Sequence, residues 1–74
     1  MKSIIITGAT SGIGLSLTKS MAKKGYKIIM ACRNTIKAEK LKYNIIETTG
    51  NRNISVLYLD LEKEETIKDF IKII

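Results

Sequence analysis

The chain contains no histidine, no proline and a single cysteine among its 74 residues. The absence of histidine excludes Ser-His-Asp and Cys-His nucleophile systems and metal sites with imidazole ligands. A single cysteine, Cys32, excludes an internal disulfide and a zinc site built from several thiolates. Any acid–base chemistry would therefore have to use Tyr, Lys, Asp or Glu, and no metal site is predicted.

Long hydrophobic runs are missing as well. The longest runs, Ile4–Ile6 and Ile28–Cys32, are far shorter than the roughly 20 residues that span a bilayer, and too short for a secretory signal. The sequence therefore predicts a cytoplasmic protein without a membrane partner. Thirteen Lys and Arg against seven Asp and Glu give a net charge of +6, which favours anionic ligands without choosing among them.

Short apolar runs alternate with amphipathic segments along the whole chain. Strands are predicted at Ser3–Thr7, Lys27–Ala31 and Ile54–Leu59, the first of them buried on both faces. Helices are predicted at Ile13–Lys24, from a cap at Asn34 or Thr35 to Thr49, and from Glu62 onward. This β-α-β-α-β-α order predicts an α/β fold: one domain over residues 1–74, a partial Rossmann fold with a three-stranded parallel sheet, which is half of a doubly wound domain.

The helical periodicity also predicts which side chains face the sheet. The predicted inner faces are Ile13, Leu17, Met21 and Ala22 in the first helix, Ala38, Leu41 and Ile45 in the second, and Ile67, Phe70, Ile71 and Ile74 in the third. Because the third pattern is still in progress at Ile74, we expect the chain to be the N-terminal half of a larger protein.

A glycine-rich turn with the sequence T-G-A-T-S-G-I-G joins the first predicted strand to the first helix. Gly8 lets the chain leave the strand, Gly12 removes a side chain where backbone approaches a ligand, and Gly14 allows close packing of the helix. Free N–H groups at the helix N-terminus would bind a diphosphate, and Thr10 and Ser11 would add hydroxyl donors. The strand before and the helix after favour this interpretation over a merely flexible turn.

The end of the second predicted strand indicates which dinucleotide is bound. Folds of this kind place an Asp or Glu there, about 20 residues past the glycines, to bind the ribose 2′-hydroxyl. This chain has Cys32, Arg33 and Asn34 instead. Cys32 does not repel a phosphate, and the guanidinium of Arg33 can bind one, so the pattern predicts NADP(H) rather than NAD(H). The alternative is that Arg33 is a solvated surface residue.

Asp60 follows the third predicted strand, at the edge of the sheet where ligands bind in such folds. Its position is also suitable for a helix N-cap. The two roles are compatible, so both stay open.

Three segments resemble the short-chain dehydrogenase/reductase family: the glycine-rich turn, Ala31–Asn34 and Tyr58–Leu61. The second segment is similar to that of the retinol dehydrogenase-like and protochlorophyllide reductase-like members, which use NADPH. The resemblance covers the whole chain but only the first part of a family member, and it implies that Asp60 binds the adenine amino group with the Leu61 backbone beside it. The residues predicted to bind the cofactor are Gly8, Thr10, Ser11, Gly12, Ile13, Gly14, Arg33, Asn34, Asp60 and Leu61.

The catalytic residues of that family have no counterpart in the chain. The resemblance implies a Tyr-x-x-x-Lys pair, but the residues four positions after Tyr26, Tyr43 and Tyr58 are Met30, Glu47 and Glu62. We therefore assign no catalytic residue and expect these 74 residues alone to be inactive.

Three functions are compatible with these patterns. The first is the cofactor-binding half of an NADP(H)-dependent oxidoreductase acting on carbonyls or alcohols. The second is a stand-alone nucleotide-binding or regulatory module, and the third, less favoured, is a basic nucleic-acid binder; we predict no nucleic-acid partner. The first strand would have a bare outer edge, which predicts self-association through that edge.

Overall fold

A computed structural model describes residues 2–73, apart from the side chains of Phe70, Ile71 and Ile73. The elements follow the predicted order: β1 Ser3–Thr7, α1 Gly12–Lys23, β2 Lys27–Cys32, α2 Thr35–Thr49, β3 Ile54–Tyr58 and α3 Glu64–Ile73. The predicted boundaries agree with the observed ones to within two residues. None of the described helices is long and apolar enough to cross a membrane.

The three strands form one parallel sheet in the order β1-β2-β3. Ser3 lies opposite Lys27 in the β1–β2 pair, and Ile28 lies opposite Ile54 in the β2–β3 pair. The predicted parallel sheet is therefore confirmed. Because all strands run the same way, their carboxyl ends meet at one edge of the sheet, which we call the carboxyl edge.

The main core lies between one face of the sheet and the helices α1 and α2. Ile28 and Met30 of β2 and Ile45 of α2 are fully buried there. Burial of each such side chain contributes about 1.5–3 kcal/mol. Ala38 is also buried and Leu41 packs against the same cluster, so the predicted inner face of α2 is confirmed.

The prediction that β1 is buried on both faces is wrong. Ile6 points into the main core, whereas Ile5, on the opposite face, is 42% exposed. On the second face, Ile67 of α3 packs into a small cluster with Ala31 of β2 and with Leu59, which follows β3. Within the described part of the chain, nothing covers that face over β1.

The predicted inner face of α1 is wrong for Ile13 and Leu17, which are 87% and 40% exposed. It is confirmed for Ala22, which is buried, and for Met21, which packs against the main core. Thr18, which the periodicity does not indicate, is also buried.

The helix approaches the β1–α1 turn so closely at Gly14 that a stripe of small residues faces the sheet. Ile13 and Leu17 are displaced toward solvent, because there is no room for them beneath this part of the helix, whereas Leu15 and Met21 pack partly buried against the main core.

Helix α3 begins with Glu64 and Glu65 in its first turn, where acidic side chains interact favourably with the positive end of the helix dipole. Ile67 is half-buried, as its predicted position on the inner face requires. The other predicted inner-face residues are the side chains of Phe70 and Ile71, together with Ile74, and all lie outside the described part of the structure.

Candidate functional site

A cleft of about 360 Å³ opens at the carboxyl edge, at the small end of the roughly 300–1,000 Å³ typical of ligand pockets. Segments that follow all three strands contribute to it. Its lining consists of Thr7, Gly8, Thr10, Ala31, Cys32, Arg33, Asn34, Leu59, Asp60, Leu61 and Glu62. Because the strands are parallel, segments far apart in the sequence meet here.

The β1–α1 turn has the backbone that its glycines predict. Gly8 and Gly12 adopt positive φ values of 63° and 56°, a backbone conformation that is strongly disfavoured for residues with a Cβ. At Gly14 a Cβ would overlap the carbonyl oxygen of Gly8 and lie 2.7 Å from its carbonyl carbon. Glycine is therefore needed at the three positions for different reasons: Gly8 and Gly12 provide the backbone conformation of the turn, and Gly14 allows α1 to contact it.

The N-terminus of α1 has unused hydrogen-bond donors. Ser11 is the N-cap residue, but its side chain makes no capping hydrogen bond. Within residues 2–73, the N–H groups of Gly12, Ile13 and Gly14 have no protein acceptor. No acidic side chain lies in the first turn, so these amides and the positive end of the helix dipole are available to an anion.

The end of β2 places a cation beside a second helix N-terminus. Arg33 and Asn34 are exposed at the cleft, next to the buried Cys32. The Asn34 side chain caps α2, because its Oδ1 accepts a hydrogen bond from the Lys37 N–H over 3.0 Å. This resolves the alternative of Asn34 or Thr35 as the cap, and it leaves the amide nitrogen of Asn34 for a ligand. Burial raises the pKa of the Cys32 thiol, which therefore stays protonated near neutral pH.

The end of β3 contributes a buried carboxylate. Asp60 is 6% exposed, and its Oδ1 accepts a hydrogen bond from the Glu62 N–H over 3.0 Å. This bond closes a turn that precedes α3, since the helix begins only at Glu64. Asp60 is therefore not the N-cap of α3. Leu61, next to it, is largely exposed.

The structure brings six of the ten predicted residues into the cleft: Gly8, Thr10, Arg33, Asn34, Asp60 and Leu61. Ser11, Gly12, Ile13 and Gly14 do not line it but continue from it into α1. Sequence reasoning missed Thr66, which is buried behind Asp60 and hydrogen-bonded to its backbone. No short sequence pattern indicates this contact, because it depends on how α3 folds back toward β3.

The site fits a dinucleotide on its own geometry. The space beside Gly8 and Gly12 is open, since nothing lies within 4 Å of a Cβ built on either residue. The first amides of α1 are unpaired within the described residues, and cationic and anionic side chains lie at separate strand ends. A diphosphate requires N–H donors, a phosphate monoester requires a cation, and an amino-bearing base requires an acceptor. The carboxyl edge supplies all three.

Comparisons with known proteins show which family this chain is similar to. A family model described as short chain dehydrogenase matches residues 2–74. The chain is 38% identical over 71 residues to retinol dehydrogenase 11 of Homo sapiens, covering 96% of this chain and 22% of that protein. It is 39% identical over 69 residues to the chloroplastic protochlorophyllide reductase of Chlamydomonas reinhardtii, covering 92% of this chain and 17% of that protein.

A solved structure shares the fold. The alcohol dehydrogenase of the archaeon Thermococcus sibiricus, complexed with 5-hydroxy-NADP, superposes with a TM-score of 0.88 at 30% identity and covers 97% of this chain and 30% of that one. The chain spans about a fifth of the length of the two curated relatives above. Its three-stranded parallel sheet is thus part of a Rossmann fold, and by the match over residues 2–74 the chain belongs to the short-chain dehydrogenase family.

Proposed function

We propose that this chain is the dinucleotide-binding portion of a cytoplasmic, NADP(H)-dependent short-chain oxidoreductase, and that residues 1–74 form a partial NAD(P)-binding domain. One observation carries the proposal: the first N–H groups of α1, which have no protein acceptor within residues 2–73, and the guanidinium of Arg33 lie at the same edge of the sheet. Anions of two kinds, a diphosphate and a phosphate monoester, are ligands that this pair of features suits.

Each part of the cofactor has its own set of residues. The diphosphate is held by the turn and the start of α1, with donors or close backbone from Gly8, Thr10, Ser11, Gly12, Ile13 and Gly14. The 2′-phosphate is bound by Arg33 and by the Asn34 amide nitrogen, and the adenine lies beside Asp60 and Leu61. When bound, the dinucleotide supplies redox chemistry to the protein.

The reaction of the whole protein is a hydride transfer between the cofactor and a carbonyl or alcohol. The names of the relatives, a retinol dehydrogenase, a protochlorophyllide reductase and an alcohol dehydrogenase, support this reaction class. The 74 residues contain no Tyr-x-x-x-Lys pair, so residues outside them would have to move the proton. The chain itself therefore binds and orients the cofactor, and we expect it to show no reductase activity alone.

Titration with NADPH and NADH, repeated on Arg33→Asp, tests the proposal. A guanidinium–phosphate contact contributes about 1.5–3 kcal/mol, so NADPH affinity should fall at least tenfold while NADH affinity changes little. The matched control is Arg52→Asp, the same charge change at an exposed arginine preceding β3, at the opposite edge of the sheet. Arg52→Asp should leave both affinities unchanged.

Two results would count against the proposal. Equal affinity of the unaltered protein for NADPH and NADH would remove the NADP(H) preference. Salt-sensitive binding to duplex DNA with no response to NADPH would favour the nucleic-acid alternative, because salt dependence is typical of phosphate-backbone binding.

We also propose that the chain self-associates through β1. In the described structure β1 lies at an edge of the sheet, and its residues Ile4–Ile6 are apolar and β-branched. An unpaired edge strand without proline or charge is a template for a second strand. Light scattering should show a mass that rises with concentration; a constant monomer mass would refute this.

A further inference from the structure

Asp60 presents one of its two carboxylate oxygens to a ligand. Oδ1 accepts a hydrogen bond from the Glu62 N–H, whereas within residues 2–73 Oδ2 accepts none from the protein and is therefore open to solvent, since no buried side-chain polar atom there lacks a partner. Asp60 is nearly buried and lines the cleft at the carboxyl edge. A carboxylate oxygen that is held in place and free to accept a hydrogen bond is suited to recognise an amino group.

One side chain from α3 contacts both backbone polar groups of Asp60, whose carbonyl oxygen also accepts a hydrogen bond from the Lys63 N–H over 2.9 Å. The Thr66 hydroxyl accepts a hydrogen bond from the Asp60 N–H over 3.0 Å, and it lies 2.7 Å from the Asp60 carbonyl oxygen, to which it donates. The Lys63 carbonyl, 2.8 Å away, shares that single hydroxyl hydrogen. Thr66 is itself buried, so these bonds are shielded from water.

Thr66 does more than stabilise α3. Its hydroxyl is hydrogen-bonded to both the N–H and the C=O of Asp60, whose carboxylate lines the cleft, although Thr66 lies six residues later in the sequence. Without the hydroxyl the Asp60 N–H would be buried and unpaired, and the strand end would shift to find another partner. Because hydrogen-bond strength depends steeply on distance and angle, a small shift of the carboxylate weakens recognition of a base.

We propose that Thr66 is the positioning residue for base selectivity: it aims the Asp60 carboxylate at the amino group of adenine and so sets the preference for adenine over hypoxanthine. The proposal rests on the proposed function, in which Asp60 contacts adenine. Hypoxanthine carries a carbonyl oxygen where adenine carries the amino group. A correctly placed carboxylate would then face another acceptor, with no hydrogen to bond, so hypoxanthine binds less tightly than adenine.

The measurement is the ratio of the Kd values for the hypoxanthine analogue of NADPH and for NADPH, by fluorescence or calorimetric titration. The unaltered protein should prefer NADPH by roughly 10–100-fold, the range for a hydrogen bond to a charged group. Thr66→Val, which keeps the shape but removes the hydroxyl, should lower this ratio at least threefold. Thr66→Ser, which keeps the hydroxyl, should leave the ratio within twofold of its original value.

The ratio separates positioning from general stability, since a merely destabilised protein loses affinity for both dinucleotides alike. Thr66→Cys, which lacks the γ-methyl group and replaces the hydroxyl by a weaker donor, should give an intermediate ratio and serves if Thr66→Val does not fold. An unchanged ratio in a folded Thr66→Val or Thr66→Cys protein would overturn the inference.

Asp60→Asn distinguishes a failure of the inference from a failure of the proposed function. An amide can donate to the hypoxanthine carbonyl, so this variant should abolish or invert the preference. If Asp60→Asn leaves the ratio unchanged, or if the unaltered protein binds neither dinucleotide, the assignment of the adenine site itself is wrong. If Asp60→Asn changes the ratio and Thr66→Val does not, only the role of Thr66 is refuted.

Discussion

Gly14→Ala places a methyl group where α1 comes closest to the turn after β1. The new Cβ would overlap the carbonyl oxygen of Gly8 and lie 2.7 Å from its carbonyl carbon and 3.2 Å from the Cα of Ala9. These are backbone atoms, so no side chain can rotate away and α1 has to move. The buried Thr18, whose hydroxyl donates to the Gly14 carbonyl over 2.7 Å, would move with it.

Two effects of opposite sign set the magnitude. Overpacking of a close contact costs about 1–3 kcal/mol, whereas alanine favours a helix over glycine by about 0.8–1 kcal/mol. Because the contact is with backbone, we expect a net loss of about 2 kcal/mol. In a domain of this size each kcal/mol lowers Tm by about 4–8 °C, so Tm should fall by about 8–16 °C.

Thermal and urea unfolding, followed by circular dichroism, measure this loss. Ser16→Ala, at an exposed position of the same helix, is the matched control and should change stability by about 0.5 kcal/mol or less. Gly12→Ala separates strain from contact: nothing lies within 4 Å of its Cβ, but its φ of +56° costs about 1–2 kcal/mol with a side chain. If Gly14→Ala unfolds no more easily than Ser16→Ala, the close approach of α1 to the turn is refuted.

The remaining predictions concern the core and the thiol. Asn51 donates hydrogen bonds of 2.8 and 3.1 Å to two backbone carbonyls at the α1–β2 connection, so Asn51→Ala should lower the free energy of unfolding by about 1–3 kcal/mol; Asn53→Ala, exposed nearby, is the control. Ile45→Ala should lower the free energy of unfolding by about 2–5 kcal/mol, and Leu17→Ala by only about 0.5 kcal/mol. Equal losses in urea unfolding would mean that Leu17 is buried, as the periodicity predicts. Because burial raises the pKa of the Cys32 thiol, the native protein should alkylate more slowly at pH 8 than the chain unfolded in urea. The native state keeps this proton at pH values where the unfolded chain loses it, so stability should fall as the pH rises through the alkaline range; equal alkylation rates in the two states would contradict this.

Local patterns were sufficient for the order of the elements and for α2. The inner face of α2 follows its apolar spacing, and Asn34 and Gly50 mark its two ends, because caps and periodicity act over a few residues. The glycine turn is also local: its positive φ values and the close approach at Gly14 depend on residues within one turn.

Periodicity failed where packing distance decided the outcome. In α1 the apolar spacing of Ile13 and Leu17 suggests an inner face, yet the helix lies too close to the turn for such side chains. The signal that was missed is that Gly14 and Thr18 form, with the predicted Ala22, a stripe of small residues four apart, which allows a close approach. The prediction that β1 is buried on both faces failed for another reason, since the pattern of a strand does not indicate how far a later helix extends over the sheet.

The sequence by itself determined the alternation of strands and helices, the glycine turn, and the cation in place of an acid after β2, because these depend on dihedral preferences and chemistry within a few residues. Only the tertiary structure decided which face of α1 meets the sheet, that Asp60 caps a turn rather than a helix, and that Thr66 holds it. These depend on distances between segments that are brought together only when parallel strands align their carboxyl ends and the helices pack against them.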